Sequence, residues 1–173
     1  VTLIAGPVHL ETPKGVDRVD VVSAKDMLAA LKVAFRDADG LIMAAAVADY
    51  RPARRHRGKW RKSDQGDGPV TLELVENPDL LATVGRSKGE RCIMGFALET
   101  SRGLARARVK MERKNADFVV LNGASALNAD ASSVTLIDRE GGVLEFGPKS
   151  KGVVAKRLVA AVEDWVDRQR TGR

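Results

Sequence analysis

The chain has 173 residues, of which 44% are hydrophobic and 30% are charged, values typical of one folded domain with a core of its own. The formal net charge of +6 favours an anionic partner, and either a nucleic acid or a small polyanion would satisfy it. The single cysteine, Cys92, excludes an intrachain disulfide framework and favours a reducing compartment, the cytoplasm. No apolar run approaches the roughly 20 residues that a membrane span requires.

The first part of the chain combines short apolar runs with one amphipathic helix. The predicted strands are Val1–Ala5, Val19–Val22 and Leu41–Ala46. These are continuous apolar runs, which is the pattern of parallel strands buried on both faces. Between the second and third strands, Ser23 is the predicted N-cap of a helix that ends near Asp39 and Gly40.

The third predicted strand opens into a basic loop over residues 51–68. Asp49 and Tyr50 follow the strand, and seven of the residues from 51 to 62 are Arg or Lys. Ligand sites in open α/β sheets lie beyond the carboxyl ends of the strands, so this stretch is a candidate ligand site. A core strand followed by a solvated loop explains the same residues equally well.

The second part of the chain continues the alternation of strands and helices. We predict strands at Val70–Val75, Cys92–Ala97 and Asp117–Leu121, and helices that begin at Asn77 and span residues 101–115 and 150–168. Two further runs, Val134–Asp138 and Val143–Phe146, flank a Gly-Gly turn and predict a β-hairpin. The predicted fold class is therefore α/β. We expect one Rossmann-like domain over residues 1–173, with a mostly parallel sheet flanked by helices and a small β-hairpin extension near residues 134–146.

Polar residues collect where the predicted strands end. They are Asp49, Asn77, Asp79, Glu99 and Asn122. In a parallel sheet these ends share one edge, where the helix start at Asn77 would offer backbone N–H groups to an anion. A plain N-cap is the simpler interpretation of Asn77. A solvated basic face is likewise the simpler interpretation of Lys110 and Lys114, which stand one helical turn apart.

Several common catalytic patterns are absent from the sequence. There is no Walker A loop, no G-x-G-x-x-G fingerprint and no serine elbow, and one cysteine with two separated histidines makes no zinc set. An enzyme built on these residues would position its substrates and neutralise charge, as in phosphoryl and nucleotidyl transfer. Cys92 lies in an apolar run and is interpreted as a buried small hydrophobe.

Five segments, in order, resemble the phosphopantothenoylcysteine synthetase family, the CoaB part of the bifunctional coenzyme A biosynthesis flavoprotein. They are AAAVADYRP at 44–52, KWRK at 59–62, ENPDLL at 76–81, GFALET at 95–100, and Lys110 and Lys114 ahead of ADFVVLN at 116–122. VTLIAGPVHL at the start and KSKGVVAKRL at 149–158 are also similar to that family. The resemblance covers essentially the whole chain, and the five segments together are far more specific than any one of them.

The resemblance implies a ligase that joins 4′-phosphopantothenate to L-cysteine in coenzyme A biosynthesis. Bacterial members use CTP with Mg²⁺ or another divalent metal and pass through an acyl cytidylate. These segments do not identify the metal ligands, and they do not settle whether this chain prefers CTP or ATP. The implied nucleotide-binding residues are Asp49, Lys59, Asn77, Pro78, Asp79, Leu80, Phe96, Lys110 and Lys114, with Lys59 also the implied catalytic residue. A homodimer and a flavin-dependent decarboxylase domain in the full-length protein are further implications.

Three features depart from the family pattern. Arg61 stands where the family has a lysine in its K-x-K-K motif, and the loop at 127–130 lacks the usual aromatic residue. Family members also begin with a further strand, a glycine-rich turn and an Asn-x-Ser-Ser-Gly segment ahead of the position of Val1. We therefore expect this chain alone to bind CTP weakly and to turn over inefficiently. A non-catalytic nucleotide-binding or regulatory module is the alternative function. Nucleic-acid binding is less favoured because only Trp60 is interleaved with the basic residues.

Overall fold

The computed structural model describes residues 1–59, 61, 68–98, 103–122 and 131–172. Its elements are β1 (Thr2–Ala5), β2 (Asp17–Asp20), α1 (Ala24–Ala34), β3 (Gly40–Met43), β4 (Tyr50–Pro52), β5 (Leu74–Glu76), α2 (Leu80–Gly85), β6 (Cys92–Leu98), α3 (Gly103–Lys114), β7 (Phe118–Asn122), β8 (Ala131–Asp138), β9 (Val143–Ser150) and α4 (Lys151–Thr171). No helix within these ranges is long and apolar enough to cross a membrane.

The central sheet has five strands in the order β3-β6-β7-β8-β9. The pairings of β3 with β6 and of β6 with β7 are parallel, whereas β7 with β8 and β8 with β9 are antiparallel. Two smaller pairs, β1-β2 and β4-β5, lie beside it. The predicted α/β class is confirmed, but the sheet is mixed rather than mostly parallel. The reason is that the predicted hairpin is longer than expected and pairs along β7, so it extends the main sheet itself.

Two hydrophobic clusters cover the two faces of this sheet. Strand β6 contributes to both, because successive side chains of a strand point to opposite faces. Ile93 and Ala97 pack with α1, α2 and α3 in the first cluster, and Cys92 and Met94 pack with α4 in the second. A Cβ on Gly95 would lie 2.7 Å from Leu81 Cδ2, so the glycine lets α2 approach the sheet closely.

Helix α1 begins as predicted and ends earlier. Ser23 and Asp26 form a capping box, in which the Ser23 hydroxyl accepts a hydrogen bond from the Asp26 N–H and the Asp26 carboxylate accepts one from the Ser23 N–H. The prediction that the helix runs to residue 39 was wrong, because it ends at Ala34. The Arg91 guanidinium donates to the carbonyl oxygens of Phe35 and Arg36 at 2.6 and 3.1 Å, which satisfies the end of the helix from a distant part of the chain.

The predicted core strand at Leu41–Ala46 is also shorter than expected. Its pairing with β6 covers only Gly40–Met43, and the next three residues, at 44–46, are exposed alanines. Strand β3 is an edge strand, and alanine side chains bury little apolar area, so neither pairing nor burial extends the strand. The predicted strand Val70–Val75 likewise contracts to Leu74–Glu76, which pairs with the unpredicted strand β4 inside the basic segment.

Candidate functional site

The end of β3 and the start of α2 are joined by the β4-β5 pair. Tyr50 pairs with Glu76, so the residues just before β4 meet the residues just after β5. The Asn77 backbone N–H donates to the Asp49 carbonyl oxygen at 2.7 Å, and the Asn77 side-chain nitrogen donates to the Ala48 carbonyl oxygen at 2.9 Å. Asp49 and Asn77, which the sequence places 28 residues apart, therefore lie side by side beyond the carboxyl end of β3.

Asp79, and not Asn77, is the N-cap of α2. The Asp79 carboxylate accepts a hydrogen bond from the Ala82 N–H at 3.0 Å, which is the usual capping contact. The expected cap at Asn77 was wrong because the Asn77 side-chain amide already donates to the Ala48 carbonyl oxygen. Asn77 therefore links the segment before β4, at Ala48 and Asp49, to the segment that follows β5.

Two cations of α3 approach the Asp79 carboxylate. Lys114 Nζ lies 3.6 Å from Asp79 Oδ1, and Arg113 Nη2 lies 3.9 Å from Asp79 Oδ2. The Lys114 side chain is 25% exposed, so it is partly screened from solvent. Lys114 is the last residue of α3. Helix α2 has only six residues and is about 9 Å long, so the Lys114 side chain can extend along most of α2 towards Asp79. Asp49, Asn77, Asp79 and Lys114 thus form one connected set.

Helix α3 continues the positive surface towards Lys110. A shallow cavity of about 450 Å³ lies along this helix and is lined by Ala105, Arg106, Val109, Lys110 and Arg113. Lys110 is half-buried and stands one turn before Lys114 on the same helix face. The lining combines the apolar side chains of Ala105 and Val109 with three cationic side chains, so this surface favours an anionic ligand.

The other predicted site residues have different positions. Leu80 is 2% exposed and belongs to the first hydrophobic cluster, so its side chain is part of the core. Phe96 packs against the second cluster, on the face of the sheet opposite α2 and α3. Lys59 is exposed in the segment between β4 and β5. The roles predicted for these residues and for Pro78 stay predictions. Trp60, Lys62, Glu99 and the loop at 127–130 lie outside the described residues.

A buried ion pair that the sequence did not reveal lies at the opposite end of the sheet strands from the candidate site. Lys88 Nζ contacts both oxygens of the Asp117 carboxylate, and the two side chains are only 7% and 4% exposed. The same carboxylate accepts the Ile93 N–H at 2.8 Å. This pair lies near the amino ends of β6 and β7, away from the candidate site. No sequence signal identifies it, because its partners are 29 residues apart.

Cys92 lies beside this ion pair and is fully buried. Burial, and then the Asp117 carboxylate, raises the pKa of its thiol to about 12. A thiol that stays protonated at neutral pH is a poor nucleophile. The interpretation of Cys92 as a buried small hydrophobe is confirmed, and this residue carries no chemistry at the site.

The carboxylates of the site lack the clustering of a resident metal centre in the part of the chain that the structure describes. Among the side chains that the structure describes, no group of three or more His, Cys, Asp or Glu residues could hold a metal ion. Asp49 and Asp79 are both exposed, and Asp79 already faces Lys114 and Arg113. The described residues therefore fit an anion better than an isolated cation.

Comparison with known proteins gives a consistent result. The family model of the DNA/pantothenate metabolism flavoprotein C-terminal domain matches residues 1–166. A coenzyme A biosynthesis bifunctional protein CoaBC from Vibrio cholerae serotype O1 is 40% identical over 146 residues, which are 82% of this chain and 36% of that protein. A cysteine/cysteine sulfinic acid decarboxylase from an unknown prokaryotic organism is 34% identical over 168 residues, which are 94% of this chain and 46% of that protein.

A solved structure supports the same relationship. The crystal structure of the C-terminal domain of a CoaBC protein superposes with a TM-score of 0.81 at 32% identity, covering 96% of this chain and 74% of that one. The chain spans less than half the length of the two curated relatives described above.

Proposed function

The chain belongs to the family of the DNA/pantothenate metabolism flavoprotein C-terminal domain, and from this we propose that it is a CTP-dependent phosphopantothenate–cysteine ligase of coenzyme A biosynthesis. The observation that carries the proposal is the connected set of Asp49, Asn77, Asp79 and Lys114, because segments that resemble one family's nucleotide site meet in space. The family membership supports the reaction, and the cationic face of α3 supports an anionic nucleotide.

The proposed reaction has two steps. The carboxylate of 4′-phosphopantothenate attacks the α-phosphorus of CTP, a P–O bond breaks, and pyrophosphate leaves. The amine of L-cysteine then attacks the acyl cytidylate, an amide bond forms, CMP leaves, and the amine gives up a proton. Negative charge builds on the leaving pyrophosphate in the first step, so fixed cations beside it lower the barrier.

The chain's own residues would supply those cations and the orientation of the nucleotide. Lys110 and Lys114 would bind the triphosphate, and Lys59 would approach the reacting phosphate from the segment between β4 and β5. Asp49 and the Asn77-Pro78-Asp79 turn would position the nucleotide, with Phe96 against the base. Mg²⁺ or another divalent metal would enter on the phosphate oxygens of CTP and add charge neutralisation there, and we assign it no protein ligand.

Several properties of the whole protein follow as parts of the proposal. We expect a homodimer, a cytoplasmic location, and a flavin-dependent decarboxylase domain in the full-length protein. These rest on the family and on the curated relatives named above, each of which is more than twice as long as the matched segment.

Calorimetry with CTP, ATP and a short oligonucleotide tests the proposal. We expect metal-dependent binding that prefers CTP. Lys59→Gln and Lys114→Gln should each weaken the binding of CTP about tenfold or more, the usual loss for one contact to a charged group. Lys156→Gln, an exposed lysine on α4, is the matched control and should change the affinity less than about twofold. Equal binding of ATP and CTP, or tighter binding of the oligonucleotide, would contradict the proposal.

A product assay then separates a ligase from a non-catalytic module. With 4′-phosphopantothenate, L-cysteine and CTP, a ligase releases CMP and pyrophosphate in step with the amide. Binding of CTP without either product would favour the regulatory module, and release of carbon dioxide from cysteine would favour an activity like that named for the decarboxylase relative.

A further inference from the structure

We propose that Arg51 is a positioning residue of the candidate site: its guanidinium sets the orientation of the Asn77 amide and so fixes the turn that leads into α2. Arg51 lies in β4, is half-buried, and donates through Nη1 to the Glu76 carbonyl oxygen and to Asn77 Oδ1, the latter at 3.2 Å. The consequence for nucleotide binding rests on the proposed function, whereas the consequence for Asn77 does not.

The Asn77 side chain has two partners that demand opposite chemistry. The Ala48 carbonyl oxygen accepts from Asn77 Nδ2 at 2.9 Å, and Arg51 donates to Asn77 Oδ1. An arginine side chain has donors only, so the amide must present its oxygen to Arg51 and its nitrogen to Ala48. The Glu76 carbonyl oxygen, which Arg51 Nη1 also contacts, is an acceptor.

Arg51 therefore fixes which of two orientations the Asn77 amide adopts. In its absence, a half-turn of the amide would present Oδ1 instead of Nδ2 to the Ala48 carbonyl oxygen, and the bond to Ala48 would be lost. The two orientations differ little in shape, so a single donor is enough to select one of them. Because the Ala48 bond holds the segment just before β4 against the Asn77-Pro78-Asp79 turn, the orientation of the amide decides whether that turn is fixed or loose.

Arginine suits this role better than lysine. The guanidinium is planar and rigid, so the two hydrogens of Nη1 point in different fixed directions and can serve two acceptors at once. Glu76 and Asn77 supply two acceptors on neighbouring residues. A lysine would keep the charge but hold the two oxygens with one flexible ammonium group.

A fixed turn strengthens the binding of a ligand because less motion is lost when the ligand arrives. The ligand class is the one already proposed, a nucleoside triphosphate bound between the turn and the cationic face of α3. Arg51 acts through Asn77 and need not touch the nucleotide. Loss of Arg51 should therefore weaken the binding of the nucleotide through its effect on Asn77. Other cations of the loop should not be able to replace Arg51 in this role.

The test compares Arg51→Met with Arg54→Met, which removes an equal charge from an exposed position three residues away. Two quantities are measured on the full chain: the hydrogen-exchange protection of the Asn77 side-chain amide by NMR, and the affinity for CTP with Mg²⁺. For Arg51→Met we expect about tenfold loss of both, the size typical of one hydrogen bond to a charged group. Arg54→Met should leave both within about twofold of the wild type.

Asn77→Ala completes a double-mutant cycle. Since Arg51 acts through Asn77, the double variant should bind CTP no more than about twofold more weakly than Asn77→Ala alone. If Arg51→Met fails to fold, Arg51→Lys gives the same comparison, with about threefold losses because it keeps the charge but not the rigid planar guanidinium.

Each outcome has a distinct meaning. If the Asn77 amide is as protected in Arg51→Met as in the wild type, the inference is wrong whatever happens to CTP. If the amide loses protection but CTP binds with unchanged affinity, Arg51 does not position the nucleotide site. If the wild type binds no CTP while the amide responds as expected, the proposed function fails and the orienting role of Arg51 stands.

Discussion

Removal of the buried ammonium group of Lys88 should be among the more damaging single changes in this protein. Lys88→Met roughly keeps the length of the side chain but removes the ammonium group, which lies 5.5 Å from the centroid of the Trp165 ring. The Asp117 carboxylate then loses its main partner. Breaking a buried pair by deleting one charge costs about 3–5 kcal/mol.

The remaining partners of Asp117 narrow the expected loss of stability. Asp117 would retain the Ile93 N–H at 2.8 Å, and Arg139 Nε lies 4.0 Å from it on a side chain that is 48% exposed. These two groups offset part of the loss, so we expect the lower end of the range, about 3 kcal/mol. For a chain of this size, that corresponds to a fall in Tm of about 6–12 °C.

Urea denaturation with an unchanged m-value measures the effect. Lys156→Met, on the exposed side of α4, is the control and should stay within about 0.5 kcal/mol of the wild type. A second change, Asp117→Asn, removes the orphaned charge and keeps an oxygen for the Ile93 N–H. The double variant should therefore recover about half of the lost stability. A loss below about 1 kcal/mol for Lys88→Met would refute the view that this pair is desolvated.

Two further predictions concern the packing of α2 and the capping of α1. Gly85→Ala should lose about 1–3 kcal/mol in urea denaturation, because a Cβ there would lie 2.0 Å from the Lys114 carbonyl oxygen. Hydrogen bonds from the Ser23 hydroxyl and backbone hold the pKa of Asp26 below its ordinary 3.8. Stability from such a carboxylate is complete above pH 3.8 and is lost as the pH falls through the folded-state pKa. The gap in Tm between the wild type and Asp26→Asn should therefore be present at pH 7 and close on acidification below 3.8.

The controls for these two predictions lie in the same chain. Gly152→Ala makes the same change inside α4, where a Cβ would meet nothing within 4 Å, and should be neutral or slightly stabilising. Asp37→Asn is the control for Asp26→Asn, because it removes an exposed carboxylate that lies beyond the end of α1. Equal stability of the two alanine variants, or a Tm gap for Asp26→Asn that is constant from neutral to acidic pH, would contradict the structural reasons given.

The elements that the sequence predicts well depend on neighbouring residues. Ser23 and Asp26 stand three residues apart and cap α1 without help from elsewhere. The apolar run that begins at Cys92 becomes the most buried strand, and the charged helix that follows it becomes α3. Periodicity, capping chemistry and burial act over one or two helical turns, so they can be read along the chain.

The elements that the sequence predicts poorly depend on partners far along the chain. Arg91 ends α1 from 55 and 56 residues away, Arg51 occupies the Asn77 amide from 26 residues away, and Lys88 finds Asp117 across 29. Composition and spacing say which residues prefer the interior or a helix start, but not which donor meets which acceptor. The polar residues of the candidate site could therefore be named from the sequence. Only the tertiary structure decided that Asn77 joins the segment before β4 to the segment after β5 and that the Lys114 side chain reaches Asp79, because each of these contacts exists only once distant segments have packed.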